Sequence, residues 1–138
     1  MLSDFKRPQG LCVDKQGDVF VPHIDTSKIF EYRHAAKKPK AILQDPHELP
    51  SDCSVDPKTG NLAVTNTSMP YTGRGDVLIF PHAKGKPRRY RDPEINSYQF
   101  CGYDDRGDLY LDGMSTGSHV KTIGGLKTPW GATVSPAQ

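Results

Sequence analysis

The chain has 138 residues and a mass of 15.3 kDa, enough for one ordinary domain or one arc of a repeat protein. Eighteen Lys and Arg stand against sixteen Asp and Glu, and a net charge of +2 calls for no polyanionic partner. The longest apolar runs, such as Val77-Leu78-Ile79-Phe80, fall far short of the ~20 residues of a membrane helix, and the 13 glycines and 12 prolines announce frequent turns.

A hairpin pattern recurs along the chain. Its first copy is Gly10-Leu11-Cys12-Val13-Asp14-Lys15-Gln16-Gly17-Asp18-Val19-Phe20-Val21. The second runs from Asp52-Cys53-Ser54-Val55-Asp56 through Gly60 to Val64, and the third from Phe100-Cys101-Gly102-Tyr103-Asp104 through Gly107 to Leu111. Asp14, Asp56 and Asp104 are spaced by 42 and 48 residues, and a fourth start, Trp130-Gly131-Ala132-Thr133-Val134-Ser135, follows with Ser135 in the Asp place. In each copy an apolar run ends in Asp, a polar turn carries Gly, and an alternating run follows. That is a β-hairpin whose Asp bonds the turn backbone and whose Gly takes a positive φ.

Strands are predicted at 10–14, 18–22, 28–32 and 40–43, then at 52–56, 61–65, 76–80 and 87–90, then at 99–104, 108–112 and 130–134. No apolar stripe of helical period exceeds two turns, so almost no helix is expected. Four short antiparallel strands per ~40–45 residues is the period of a propeller blade. The fold class read here is therefore all-β, a partial β-propeller of about three blades. Blade 1 covers about 8–46, blade 2 about 50–93 and an abbreviated blade 3 about 97–127, with 128–138 opening a fourth.

Pro8-Gln9-Gly10-Leu11-Cys12-Val13-Asp14 and Pro129-Trp130-Gly131-Ala132-Thr133-Val134-Ser135 resemble the blade opening of six-bladed propellers of the NHL and gluconolactonase-like type. The stretch from Ser51 to Asn66 is similar to text found in bacterial propeller proteins, and the likeness covers roughly 8–136. The resemblance implies a fold more than a chemistry, because propellers host unrelated activities. It places functional groups at the mouth of a central channel, just before the innermost strand (Gln9, Asp52, Gln99, Trp130) or at the end of the second strand (His23, Asp25, Asn66, Asp112).

The expected function is a binding or scaffold module of unassigned ligand rather than an enzyme, with no catalytic residue and no cofactor. Two alternatives follow from the resemblance. One is a metal-dependent lactonase-like hydrolase, in which Asp52, Asn66 and Asp112 would hold calcium or another divalent cation by oxygen ligands. The other is an RNA-binding propeller using the basic run Lys84–Arg91, which carries five positive charges in eight residues around Tyr90, and the earlier Lys37-Lys38-Pro39-Lys40. On an outer strand such charges also block edge-to-edge pairing, which is the favoured reading. Turn capping accounts for Asp14, Asp56 and Asp104 better than a ring of carboxylates does.

Arg74-Gly75-Asp76 and Arg106-Gly107-Asp108 spell an adhesion tripeptide, and Asn66-Thr67-Ser68 a glycosylation acceptor, by spelling only. The five His, at 23, 34, 47, 82 and 119, lack zinc-motif spacing. Cys12, Cys53 and Cys101 read as three free, buried thiols, with neighbouring inner strands fanning beyond bridging distance. Leu11, Val13, Cys53, Val55, Cys101 and Tyr103 are expected to be buried between blades, with Phe20, Leu62 and Leu109 beside them.

Three blades cannot close a ring, so a homodimer of two arcs is the leading assembly. Phe5, Leu11 and Phe20 would lie on one face and Met114, Ile123, Leu126 and Trp130 on the other. A piece of a larger propeller and a self-capped monomer are the alternatives. No membrane contact is expected. No signal peptide is expected ahead of Met1-Leu2-Ser3-Asp4, although a secreted bacterial parent could have lost one.

Overall fold

The computed structural model describes residues 8–46, 49–67, 75–92 and 95–115. Ten strands follow in chain order: β1 (Cys12–Val13), β2 (Val19–His23), β3 (Lys28–Tyr32), β4 (Ala41–Gln44), β5 (Pro50–Val55), β6 (Leu62–Asn66), β7 (Asp76–Phe80), β8 (Arg88–Tyr90), β9 (Ile95–Tyr103) and β10 (Leu109–Ser115). A three-residue 3-10 turn, Pro81–Ala83, is the helical content of the described residues. The chain is all-β, as its turns and alternation predict. The expected strand 130–134 and Phe5, Ile123, Leu126 and Trp130 lie outside the described residues.

Strands β1 to β4 form one antiparallel sheet in chain order, β5 to β8 a second, and β9 pairs with β10 in a third. The hairpins that start these sheets turn on an Asp cap and a Gly, the first and third alike and the second one residue longer. The Asp14 carboxylate accepts the N–H groups of Gln16 and Asp18, both at 2.9 Å, and Asp104 accepts those of Arg106 and Asp108 at the same distance. Asp56 accepts the Lys58 N–H at 2.9 Å and the Thr59 hydroxyl. Gly17, Gly60 and Gly107 take φ of 82°, 71° and 87°, a region that disfavours a Cβ. All three aspartates are thus turn caps.

Cross-strand pairs fix which face each side chain takes. Cys12, Phe20, Ile29 and Leu43 turn toward the second sheet, which answers with Cys53, Leu62, Val64, Leu78 and Phe80 in one apolar layer. On the other side of the second sheet, Val77 packs with Ile95 and Tyr98 of β9, with Ile79 and Leu109 alongside. The second sheet is therefore covered on both faces, and all five residues of β6 are buried.

Several expectations need correction. Leu11 and Val13 are 64% and 52% exposed, because on the first sheet that face turns away from the second. Phe20 shares the face of Cys12 and is buried between sheets, so it does not belong to an open end. Val55 and Tyr103 are half-buried, while Cys53 and Cys101 are buried as expected. The third hairpin starts earlier than predicted, at Ile95, and β10 runs through Met114 to Ser115, with register shifts after Asp112 and Met114.

The cysteines are not three free thiols. Cys12 and Cys53 form a disulfide with a Cα–Cα distance of 5.6 Å, and Cys101 is free and buried. The reason is parity. Cys12 stands two residues before its turn aspartate, whereas Cys53 and Cys101 stand three before theirs. Alternation therefore points Cys12 forward to the second sheet and Cys53 back to the first. Cys53 and Cys101 both point backward and do not meet. Burial, then the charge of Asp52, pushes the Cys101 thiol well above its usual range. Alkylation of the native, non-reduced protein should label essentially nothing at neutral pH, and in denaturant without reductant Cys101 alone should react, as read by peptide mass.

Candidate functional site

The residues named from the sequence fall into two groups. Of those expected just before an innermost strand, Asp52 and Gln99 lie within β5 and β9 and meet at one polar knot, while Gln9, exposed, precedes β1. A bulge between Pro50 and Asp52 places an extra residue, Ser51, in β5. The Ser51 hydroxyl is buried, 3.1 Å from the Thr65 carbonyl and 3.1 Å from Thr65 Oγ1, and 3.2 and 3.3 Å from the carbonyls of Tyr98 and Gln99. The Thr65 hydroxyl in turn lies 3.2 Å from the Gln99 carbonyl and 3.4 Å from that of Asp52. With one proton each, the two hydroxyls donate to two at a time of these carbonyls of β5, β6 and β9, which packing would otherwise strip of water.

Asp52 is the centre of this region. Its Oδ2 accepts the Cys101 N–H at 3.1 Å, and two residues along β5 the Ser54 hydroxyl oxygen accepts the Tyr103 N–H at 3.0 Å. Side chains of β5 thus satisfy N–H groups along β9. On the other side, a Cβ at position 10 would lie 2.1 Å from Asp52 Oδ1 and 3.0 Å from the Asp52 Cα, so only glycine fits there. Asp52 is wedged between the start of the first inner strand and the middle of the third. Gln9, next to Gly10, is exposed, and Gln99 is half-buried. Burial pushes the Asp52 carboxyl above its ordinary value, with the N–H groups of Cys101 and Cys53 partly offsetting it.

The second group is held sheet by sheet. His23 is buried at the end of β2, its Nδ1 3.1 Å from the Thr26 hydroxyl and its ring edge-on to Phe30 at 5.9 Å. Asn66, 2% exposed, donates from Nδ2 to Asp76 Oδ1 at 2.8 Å, and Arg89 Nε donates to Asp76 Oδ2 at 2.6 Å. Asn66 Oδ1 is buried without a hydrogen-bond partner. Asp25 is exposed in the turn after β2, and Asp112 is half-buried in β10. Trp130 lies outside the described residues. Sequence reasoning named Asn66 but missed Asp76 and Arg89, which are needed to account for its burial. Their signal was a charged residue opening an otherwise apolar strand, Asp76-Val77-Leu78-Ile79-Phe80.

This arrangement bears on the other readings. Among the described residues no three His, Cys, Asp or Glu side chains gather to hold a metal ion. Of the basic runs, Lys40 is tied to Asp18 and Glu31 at 2.7 and 2.8 Å, Arg89 to Asp76, and Arg91 to the Gly75 carbonyl at 3.3 Å, while Lys37, Lys38, Lys84, Lys86 and Arg88 are exposed. Burial of Asn66 behind Asp76 leaves no room for a glycan at that acceptor. In the second adhesion tripeptide, Arg106 folds back on Asp104 at 3.3 Å and Asp108 at 3.6 Å. Arg74 of the first lies outside the described residues.

Two substitutions test these assignments. For Asp52 the folded carboxyl titrates above its ordinary 3.8, so ionisation penalises the fold and stability is lost as pH rises through the folded value. Asp52→Asn keeps an acceptor for the Cys101 N–H and removes the charge. Denaturant unfolding should find the variant at least as stable as wild type at pH 7, with the difference shrinking as pH falls below 3.8. Asn66→Asp sets a second carboxylate against buried Asp76. It should cost roughly 3 kcal/mol at neutral pH and recover part of that near pH 5, because the pair then holds a proton. Compared with known proteins, the chain matches no family model and no curated sequence.

Proposed function

We propose that the chain is an arc of about three blades of a β-propeller, a binding or scaffold module that closes its ring by pairing with a second copy of itself. The observation that carries this reading is the apolar residues exposed at the margins of the outward face of the first sheet, either side of buried Val21 and Tyr32. Within the chain, sheet packs on sheet twice through apolar faces. The first sheet repeats that construction but turns Leu11, Val13 and Ile42 outward, 64%, 52% and 51% exposed. An apolar sheet face of this kind is suited to a further sheet of the same make, and two arcs of three supply the six blades of the resembled family. In such a ring Gln9, Asp52 and Gln99 would line the channel mouth and meet the ligand.

Light scattering of the oxidised protein at about 100 micromolar should return twice the 15.3 kDa of one chain. The double variant Leu11→Asp, Val13→Asp should return one chain mass, and its melting temperature at low concentration should match that of wild type, because both side chains are already in solvent. Wild type at one chain mass would overturn the ring, as would a double variant that stays paired.

A further inference from the structure

We propose that the Cys12–Cys53 disulfide is a redox-sensitive clip, whose reduction releases β1 with Leu11 and Val13 while the second and third sheets stay folded. The inference goes beyond the self-association reading and is tested independently of it.

The case begins with how little else holds β1. It is two residues long and lies at the edge of its sheet, paired to β2 only at Cys12–Phe20 and Val13–Val19. By contrast, β2 and β3 share five pairs, as do β6 and β7. The nearest further ladder contact among the described residues is an isolated bridge between Pro8 and His23. Of the side chains from Leu11 to Val13, two point to solvent, so the segment gains little from burial. Cys12 is its one inward side chain.

The other end of the bond is firmly placed. Cys53 is 4% exposed in the six-residue β5 and belongs to the larger apolar layer. The bond thus ties a weakly held edge strand to the most buried sheet, across 41 residues of chain. Elements with few buried contacts are the ones that open first.

The chemistry is ordinary thiol–disulfide exchange. A thiolate of a dithiol attacks the sulfur of Cys12, the less buried partner, and the Cys53 sulfur leaves and takes a proton. The second thiol of the reagent then displaces Cys12, which is protonated in turn. Two electrons and two protons pass to the protein, and the dithiol becomes a cyclic disulfide. Cys101, buried in the third sheet on a face that does not meet Cys53, does not compete. The clip is closed in an oxidising compartment and open in a reducing one.

Hydrogen exchange of the full chain, read by mass spectrometry with and without excess dithiothreitol, tests the clip, the mass gain of two hydrogens confirming reduction. Amides of 10–14 should exchange about tenfold faster or more after reduction, while those of 62–66 and 76–80 keep their protection. Cys12→Ser should show the same local pattern without reductant. Unchanged exchange at 10–14 in the reduced wild type would overturn the clip. So would loss of protection throughout the chain, which would make the bond a global stabiliser, or a non-reduced protein in which all three thiols alkylate.

Discussion

The structure depends on one constraint, that the second sheet is buried on both faces. A sheet in that position has little solvent side on which to place polar groups, so its polar side chains are paired inside, with Asn66 Oδ1 the exception among the described residues. The apolar positions meet the demand by alternation, with Leu62, Val64, Leu78 and Phe80 turned to the first sheet and Val77 to the third. The polar positions meet it by side-chain chemistry. Ser51 and Thr65 cover carbonyls of three strands, Asn66 and Asp76 close on each other, and Arg89 reaches in from the outer strand to neutralise Asp76. These polar contacts lie at one end of the sheet, where β6 ends and β7 begins. The buried layer beyond them is apolar.

That division explains what could be read from the sequence. The turns were legible because their chemistry is local. Asp, two or three polar residues and Gly specify a hairpin without reference to the rest of the molecule, and in all three copies the Asp carboxylate accepts the N–H two residues on. Strand positions were legible for the same reason, since alternation between turns leaves little freedom. The faces were not. Leu11 and Cys53 are equivalent in parity, both three residues before the turn aspartate, but among the described residues no sheet lies behind Leu11, and the first hairpin carries its cysteine one residue closer to the turn. A single-residue offset in a strand reverses the side of the sheet. The disulfide was hidden because Cys12, of opposite parity to Cys53, was not read as facing it across the two sheets.

The candidate site was legible only in part, because it is made by contacts between hairpins. The repeat places Gln9, Asp52 and Gln99 at strand starts, whereas Asp52 is the third residue of β5 and Gln99 the fifth of β9. Nothing local indicated that Asp52 would accept a backbone N–H from β9, or that Gly10 is needed for its close approach to Asp52. Both are consequences of how successive inner strands pack. The same packing raises the Tyr103 hydroxyl to about 12, through burial first and then the nearby charge of Asp56. Asp56 itself goes the other way. Its burial is outweighed by the Thr59 hydroxyl and the N–H groups of Lys58 and Thr59. Asp56 and Asp104 are stabilised as anions by their hydrogen bonds, whereas burial works against the charge of Asp52. A ring of equivalent carboxylates is therefore the wrong picture of this region.

The inner strands themselves are unequal in a way that bears on how the chain is held together. β1 has two residues, β5 six and β9 nine. Of the three, β5 is packed on both sides and β9 on its β5 side, while β1 meets another sheet on one side only and keeps Leu11 and Val13 in water. A short edge strand with apolar residues exposed is the weakest arrangement a sheet can have, since it gains neither a full ladder nor burial. Such a strand persists if a partner covers it or if a covalent bond holds it. Here the bond runs from its single inward residue to the best-buried strand, and the exposed residues flank that same cysteine. The covalent tie and the open face are thus features of one three-residue segment, so whatever docks on Leu11 and Val13 adds burial at the point where the chain lacks it.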